Sequence, residues 1–478
     1  MTDKEHSKQL VVIGAGPGGY AAAFYAADQG MEVTLIAPEK NPGGVCLYVG
    51  CIPSKALLHI AEVINEAKHA QDFGIIFSEP QIDIDKLRNW KNEVVEKLTG
   101  GLGQLSKQRK INYIRGTAKF LDCSTLRVVD EDKKISKLTF KNAIIATGSS
   151  PTNVPGLSID SPKVMDSTAA LEIADIPDSL LVIGGGYIGL EMGTVYAALG
   201  SKVTVVEMMD GLLPGVDRDL VNELSKMLSG KFSEIILNTT VAGLSEEKNG
   251  IKVTLKGTDG KSADRVFDKI LISVGRKPNS KNLGLEDAGV EINEKGFVKV
   301  DGQRRTTVPS IFAIGDVVGE PMLAHKASHE GKVAVEAILG KKTVFEPAAI
   351  PAVVFTDPEI AWCGLTETEA KKNNRDVEIV KFPWRASGRA ITLGRTDGLT
   401  KHIIDPKTGR ILGVGIAGPR AGELIAEGVL AIEMAALCSD VHLSIHPHPT
   451  LSETLMEAAE LFDGQSTHYM RARRKPPA

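Results

Sequence analysis

Leu10-Val11-Val12-Ile13-Gly14-Ala15-Gly16-Pro17-Gly18-Gly19 governs how the rest of the chain is read. An apolar run of strand length enters a glycine-rich turn, and an alanine-rich segment follows. GxGxxG therefore stands in the strand–turn–helix setting that its chemistry requires. Gly14, Gly16 and Gly19 let the backbone approach a pyrophosphate, whose charge faces the positive end of the helix. A single copy of this motif is weak evidence, but here it recurs. Leu180-Leu181-Val182-Ile183 leads into Gly184-Gly185-Gly186-Tyr187-Ile188-Gly189 and a second helical pattern. Each unit also closes alike, on Ala143-Ile144-Ile145-Ala146-Thr147-Gly148 and on Ile270-Leu271-Ile272-Ser273-Val274-Gly275. The sequence predicts an α/β chain built on two Rossmann-like dinucleotide-binding domains.

The two copies differ in informative ways. In the second, strand Lys202–Val206 ends at Glu207, 23 positions after Gly184. A carboxylate there accepts hydrogen bonds from a ribose hydroxyl and repels a 2′-phosphate, which favours NAD over NADP. The same offset in the first copy falls on Ala37, with Glu39 two residues further on as the substitute acid. The first copy also carries a long insertion, roughly residues 40–110.

Inside that insertion lies Gly43-Gly44-Val45-Cys46-Leu47-Tyr48-Val49-Gly50-Cys51-Ile52-Pro53-Ser54-Lys55. Positions five apart on a straight helix are about 8–9 Å apart, beyond the roughly 7 Å reach of a disulfide. A Cys46–Cys51 bond needs a bent backbone, which Gly43, Gly44 and Gly50 permit. So small a loop restricts the unfolded chain little, which suits a bond that opens and closes. On spacing alone, two packed thiols fit equally well. A redox pair built onto the first nucleotide module is the economical reading: this module holds a flavin and the second a nicotinamide. Ile311-Phe312-Ala313-Ile314-Gly315-Asp316 is a strand ending in an acid suited to a flavin's ribityl or phosphate region. Arg276-Lys277-Pro278-Asn279 supplies cationic groups beside a nucleotide.

The bulk composition bounds the class. The 478 residues suffice for about three domains. Apolar content of 42% and charged content of 24% describe a globular chain. A net charge of −4, from 56 basic and 60 acidic residues, argues against a general nucleic-acid binder. Five cysteines do not make a secreted disulfide framework, and their odd number leaves a free thiol, so a reducing, cytoplasmic setting is expected. The apolar run from Leu10 to Ala27 is broken by glycines and does not read as a targeting segment, and no stretch is expected to span a membrane. The basic tail Arg471–Ala478 is expected to be solvated.

A second chemical segment is Ile445-His446-Pro447-His448-Pro449-Thr450-Leu451-Ser452-Glu453. Each histidine precedes a proline and is biased toward extended backbone. Histidine titrates near neutrality and can move protons to and from thiols. Glu453 could orient an imidazole, and Thr450-x-x-Glu453 also fits a capping box. His442, His446, His448 and Cys438 lack standard zinc spacing, so no metal site is expected. These residues alone do not choose between His446 and His448.

Together these segments resemble the lipoyl-oxidising branch of the flavin disulfide reductase family over nearly the whole chain. The most specific element is the cysteine segment ending in Ile52-Pro53-Ser54-Lys55, supported by His-Pro-His-Pro-Thr-Leu-Ser-Glu and by the order of all these motifs. The resemblance implies an FAD domain over 1–150, an NAD domain over 151–275, a central domain over 276–346 and a C-terminal α+β dimerisation domain over 347–478. It also implies a homodimer in which His448 and Glu453 serve the other subunit's disulfide.

Carried over by position, Cys46 is the interchange thiol and Cys51 the flavin-side thiol, with Lys55 beside the flavin and paired to Glu191. Ala118, Thr147, Gly148, Asp316 and the run Met322, Leu323, Ala324, His325 would line FAD, as would Gly14, Gly16, Gly19, Glu39 and Gly44. Gly184, Gly186, Gly189, Glu191, Glu207, Val241, Gly275 and Arg276 would serve NAD. The implied activity is oxidation of protein-bound dihydrolipoyl groups with reduction of NAD, on lipoyl carriers of a 2-oxo-acid dehydrogenase or glycine-cleavage complex. Two positions depart from the family: Ala37 replaces an acid, and Tyr48 stands where asparagine is frequent. The rival readings are a reductase of another small disulfide, which Glu207 opposes, and a flavoprotein with a structural or regulatory role.

Overall fold

The computed structural model describes residues 8–470 apart from 155 and 158, so the basic tail lies outside the described residues. Strand Lys8–Ile13 is the centre of the first sheet. It pairs in parallel with Val33–Ala37 (Leu10 opposite Val33) and with the end of Ile135–Ile145 (Val11 opposite Ala143). Asn112–Phe120 and Ile311–Ala313 extend the parallel sheet on its two sides. Such strands are covered on both faces, which is why they read as continuous Val/Ile/Leu runs without alternation.

The second module repeats this plan. Ser179–Ile183 lies between Lys202–Val206 and Lys269–Ile272, with Glu234–Ile236 and Val164–Met165 outside them, all parallel. Each module also carries a three-stranded antiparallel meander. In the first it is formed by Asn112–Phe120, Thr125–Asp130 and Ile135–Ile145, and in the second by Thr239–Glu247, Gly250–Gly257 and Ser262–Phe267.

The turns that follow the two central strands can only be glycine. Gly14 has φ +100°, and a Cβ on Gly19 would stand 1.9 Å from Gly14 O. Gly184 and Gly189 repeat the relation, with φ +107° and a 2.4 Å approach.

An antiparallel ribbon of Ser149–Pro151 and Arg276–Pro278 ties the modules together. Beyond it, Ile311–Ala313 returns to the first sheet, and helix Ala324–Ile338 packs on the fingerprint helix Pro17–Asp28. The C-terminal part is a five-stranded antiparallel sheet in the order Ala352–Val354, Glu359–Gly364, Ile411–Gly418, Leu399–Ile404, Glu378–Pro383. Helices Ala421–Glu433 and Glu453–Asp463 cover it around a core that contains Trp384 and Phe382.

The insertion folds as helices Gly44–Val49, Cys51–His69 and Ile84–Gln108. The helical stretch Gly44–Phe73 is long and apolar enough to cross a membrane by length and composition alone. Its apolar residues have a partner inside the protein. Leu57, Leu58 and Ile64 share a core with Leu190, Met192 and Val195 of helix Tyr187–Leu199. The stretch is also interrupted at Gly50, whose φ of −144° and ψ of −117° are not helical.

Candidate active site

The bend at Gly50 delivers the cysteines. It ends the short helix that carries Cys46 and starts the long one with Cys51 as its first residue. Both open into a cavity walled by the first fingerprint, Gly14 to Gly19, and by Lys55. On Gly16 a Cβ would meet nothing within 4 Å, and no side chain caps the helix that follows. The N–H groups of that helix therefore face open space shaped for an anion. Glu39, Gly44, Ala118, Thr147 and Gly148 line the same cavity, as do Asp316, Met322 and Ala324. A long nucleotide fits this donor set of uncapped amides, carboxylates and sulfur.

The two sulfurs form one titrating unit, with both cysteines present as thiols. The hydrogen bond between them raises the Cys46 thiol above its ordinary value, and burial raises it further. The same hydrogen bond, aided by the Lys55 charge against the cost of burial, lowers Cys51 to about 7. The helix N-terminus at Cys51 favours charge at the same atom. In the reduced pair the proton thus stays on Cys46 and the thiolate sits on Cys51.

Lys55 is fixed from the second module. Its Nζ lies 2.8 Å and 3.1 Å from the two carboxylate oxygens of Glu191, and 4.5 Å from the centre of the Phe355 ring. The Phe355 N–H donates to Glu191 Oε1 at 3.0 Å. The pairing of Lys55 with Glu191 expected from sequence is thus present. Glu191 and Arg276 line the cysteine cavity, and Arg276 Nε donates to Ser149 Oγ at 2.7 Å. Ser149 Oγ in turn donates to Asp316 Oδ2 at 2.5 Å.

Leu323 and His325 flank the lining residue Ala324. They lie outside the cavity lining, and His325 Nε2 is instead 2.8 Å from Pro351 O. Leu323 stands at the N-terminus of helix Ala324–Ile338.

Ser149 and Tyr187 were not singled out from sequence. Tyr187 lines the cavity from the second fingerprint, where burial pushes its hydroxyl up to about 12. The available signal was its position at the first turn of a nucleotide helix; for Ser149 it was its place directly after the Thr147-Gly148 turn.

The second fingerprint is braced by an acid. Glu207 is buried at the end of its strand, and its oxygens accept from Gly185 N–H at 2.7 Å and Met209 N–H at 2.8 Å. A carboxylate has lone pairs left for a ribose after both bonds. On Gly186 a Cβ would again meet nothing within 4 Å. Val241 lies opposite Leu255 in the adjoining meander, and Gly275 turns with φ +109°.

The histidines separate cleanly. His446 has both ring nitrogens engaged, Nε2 at 2.8 Å from Glu427 Oε1 and Nδ1 at 2.8 Å from Ser444 O. His448 uses only Nδ1, 2.8 Å from Glu453 Oε1, and its side chain is 70% exposed. Glu453 Oε2 also accepts the Thr450 N–H at 2.8 Å. That is one half of a capping box; the Thr450 hydroxyl bonds Pro447 O and Ser452 Oγ instead. Neither His448 nor Glu453 lines the cysteine cavity of its own chain.

Residues 8–331 match the family described as pyridine nucleotide-disulphide oxidoreductase, and residues 350–459 match the dimerisation domain of that family. The chain belongs to the pyridine nucleotide-disulphide oxidoreductases.

It is 49% identical over 472 residues to a dihydrolipoyl dehydrogenase of Vibrio cholerae, with 99% of both chains covered. It is 46% identical to a dihydrolipoyl dehydrogenase of Geobacillus stearothermophilus, covering 96% of this chain and 97% of the other. Among solved structures it resembles LpdA from Mycobacterium tuberculosis, with a TM-score of 0.88 and 26% identity over 95% of this chain and 99% of that one. It also resembles the HOCl-induced flavoprotein disulfide reductase RclA from Escherichia coli, with a TM-score of 0.84, 30% identity and the same coverage. As a pyridine nucleotide-disulphide oxidoreductase the chain is an enzyme, and a cavity joining thiols to a nucleotide fingerprint is what that chemistry needs.

Proposed function

We propose that the chain oxidises dihydrolipoyl groups to lipoyl and reduces NAD to NADH, with FAD and the Cys46–Cys51 pair between the two substrates. The observation that carries this reading is the shared cavity, lined by both cysteines and by the first fingerprint, and the lowering of Cys51 to about 7 supports it. Its company is relatives of the same printed name at 46–49% identity over nearly full length. FAD, when bound, supplies the two-electron relay between sulfur and nicotinamide. Gly14, Gly16 and Gly19 would hold its pyrophosphate and Asp316 its ribityl chain. Gly184, Gly186, Gly189 and Glu207 would hold NAD.

The protein's own residues perform the thiol chemistry. His448 Nε2 takes a proton from a dihydrolipoyl thiol, because the thiolate is the nucleophile. Glu453 fixes the ring through Nδ1 and favours the imidazolium that forms. The substrate thiolate attacks Cys46 Sγ of the oxidised pair, and Cys51 leaves as the thiolate its surroundings favour. The second substrate thiol then displaces Cys46, and lipoyl departs as a disulfide.

His448 stands outside the cavity of its own chain, so this reading makes the enzyme a homodimer in which it serves the partner's Cys46. Leu443 and Ile445, 74% and 98% exposed beside the histidine segment, support burial against a second copy. Lipoyl carriers of a multienzyme complex in the cytoplasm are the proposed partners.

The test is NADH formation from dihydrolipoamide and NAD by the purified flavoprotein, with NADP and with glutathione disulfide plus NADPH in parallel. Fast NAD-specific turnover that Cys46→Ser abolishes is expected. Silence with dihydrolipoamide but turnover with glutathione disulfide would overturn the substrate assignment.

A further inference from the structure

Strand Val33–Ala37, whose last residue also lines the cysteine cavity, stops at an alanine where a ribose-binding carboxylate belongs. The next acid, Glu39, is half-buried and lines the cavity, on a loop with no regular structure of its own. A loop carboxylate orients poorly unless the loop is tied down.

This loop is tied at three carbonyls, those of Pro38, Glu39 and Asn41. Arg115 Nε donates to Pro38 O at 3.2 Å. The Tyr113 hydroxyl donates to Glu39 O at 2.8 Å. The Tyr48 hydroxyl donates to Asn41 O at 3.0 Å and accepts the Asn41 N–H at 3.2 Å. Gly43 N–H then donates to Ala15 O of the fingerprint at 2.8 Å, closing the loop onto the phosphate turn. The contact with Tyr48 is close: a Cβ on Gly43 would come 3.0 Å from its ring. Every tie grips backbone, and the carboxylate of Glu39 has no hydrogen-bond or ion-pair partner among the described residues. A side chain held by its backbone, with its oxygens free toward a nucleotide cavity, is what a ribose acceptor needs.

We propose that Glu39 binds the ribose hydroxyls of the adenosine half of FAD in place of the missing acid at position 37, and that Tyr48 is the positioning residue that holds its loop. The inference rests on the reading of this cavity as an FAD site. It gives the departure at Tyr48 a reason. The tyrosine reaches from the redox helix back to Asn41, so one short helix carries both the interchange thiol and the brace of the ribose loop. Tyr48 acts through backbone only.

The experiment uses apoprotein freed of flavin and titrated by flavin fluorescence with two probes. One is FAD and the other is FAD whose adenosine ribose is 2′,3′-dideoxy. The wild type is expected to bind the dideoxy probe about tenfold more weakly, the scale of a charge-assisted hydrogen bond. Glu39→Ala should bind both probes alike, at the weaker affinity. Tyr48→Phe should lose most of the discrimination while keeping its affinity for the dideoxy probe. Failure of the wild type to bind FAD would remove the FAD reading itself. FAD binding without discrimination would overturn Glu39. A Tyr48→Phe protein that discriminates like wild type, or that weakens both probes equally, would overturn the positioning role.

Discussion

Lys55 Nζ and Glu191 Oε2 meet at 2.8 Å across the boundary between the two nucleotide modules. Lys55 comes from the redox helix and Glu191 from the fingerprint helix of the second module. Glu191 is buried at 3% exposure, so its charge requires this cation. One ion pair therefore both joins the modules and sets the charge beside Cys51.

Lys55→Met should raise the Cys51 midpoint from about 7 into or above the ordinary thiol range, because a favourable cation is lost and the Glu191 carboxylate stays nearby. The thiolate exists above its midpoint and is protonated below it. At pH 7.5 the reduced variant should therefore show less thiolate ultraviolet absorbance than wild type, with the titration displaced to higher pH. An unmoved midpoint would show that the hydrogen bond from Cys46 suffices alone.

His448→Gln should slow the oxidation of dihydrolipoamide by about 10²–10⁴-fold in the half-reaction that forms the reduced enzyme. His446→Gln should leave that rate within a few-fold, since both nitrogens of His446 already hold Glu427 and Ser444. Stopped-flow reduction by substrate separates the thiol step from NAD reduction. Equal losses in the two variants would remove the assignment of His448 as the base.

The duplicated fold was legible because buried parallel strands and their glycine turns are local, repeated signals. So was the bend between Cys46 and Cys51, since Gly50 carries it. Sequence could not choose between His446 and His448: their difference lies in Glu427, nineteen positions away on a helix that packs from elsewhere. The pairing of Lys55 with Glu191 came from the family resemblance and not from any local pattern. The Glu191 side chain leaves the second module to line the cavity of the first, and no periodicity encodes that crossing.

Lys401→Met should destabilise the protein by about 3–5 kcal/mol, because it strips the ion-pair partner from buried Asp217, whereas Asp219 keeps Lys381. Lys401 is 1% exposed, with Nζ 2.6 Å from Asp217 Oδ2 and 2.8 Å from Asp219 Oδ1. Glu367 Oε2 is 3.6 Å away. These three carboxylates are close enough together to suggest a cation site, and the lysine ammonium occupies that role. Asp217 also accepts the N–H groups of Glu367 and Thr368, so the cluster fixes the second module to the C-terminal sheet. Urea unfolding should show the loss in the midpoint. An unchanged midpoint would mean that Asp217 does without the cation at no cost.

His402 offers a test of pH dependence. Its ring is buried in the C-terminal sheet with neither nitrogen partnered among the described residues, and burial lowers it from 6.5 to about 4. The unfolded chain therefore binds a proton that the folded chain refuses between those two values. Stability from this residue is complete above about pH 6.5, falls as pH drops toward 4, and changes no further below that. At pH 5 the loss is about 2 kcal/mol relative to pH 7.5. His402→Leu removes the titration and fills the site with an apolar side chain of similar size. The difference in unfolding free energy between wild type and variant should therefore shift by about 2 kcal/mol in favour of the variant as pH falls from 7.5 to 5. Taking the difference cancels the other titrating groups. A difference that stays constant across this range would show that the folded protein accommodates a charged imidazole at this position.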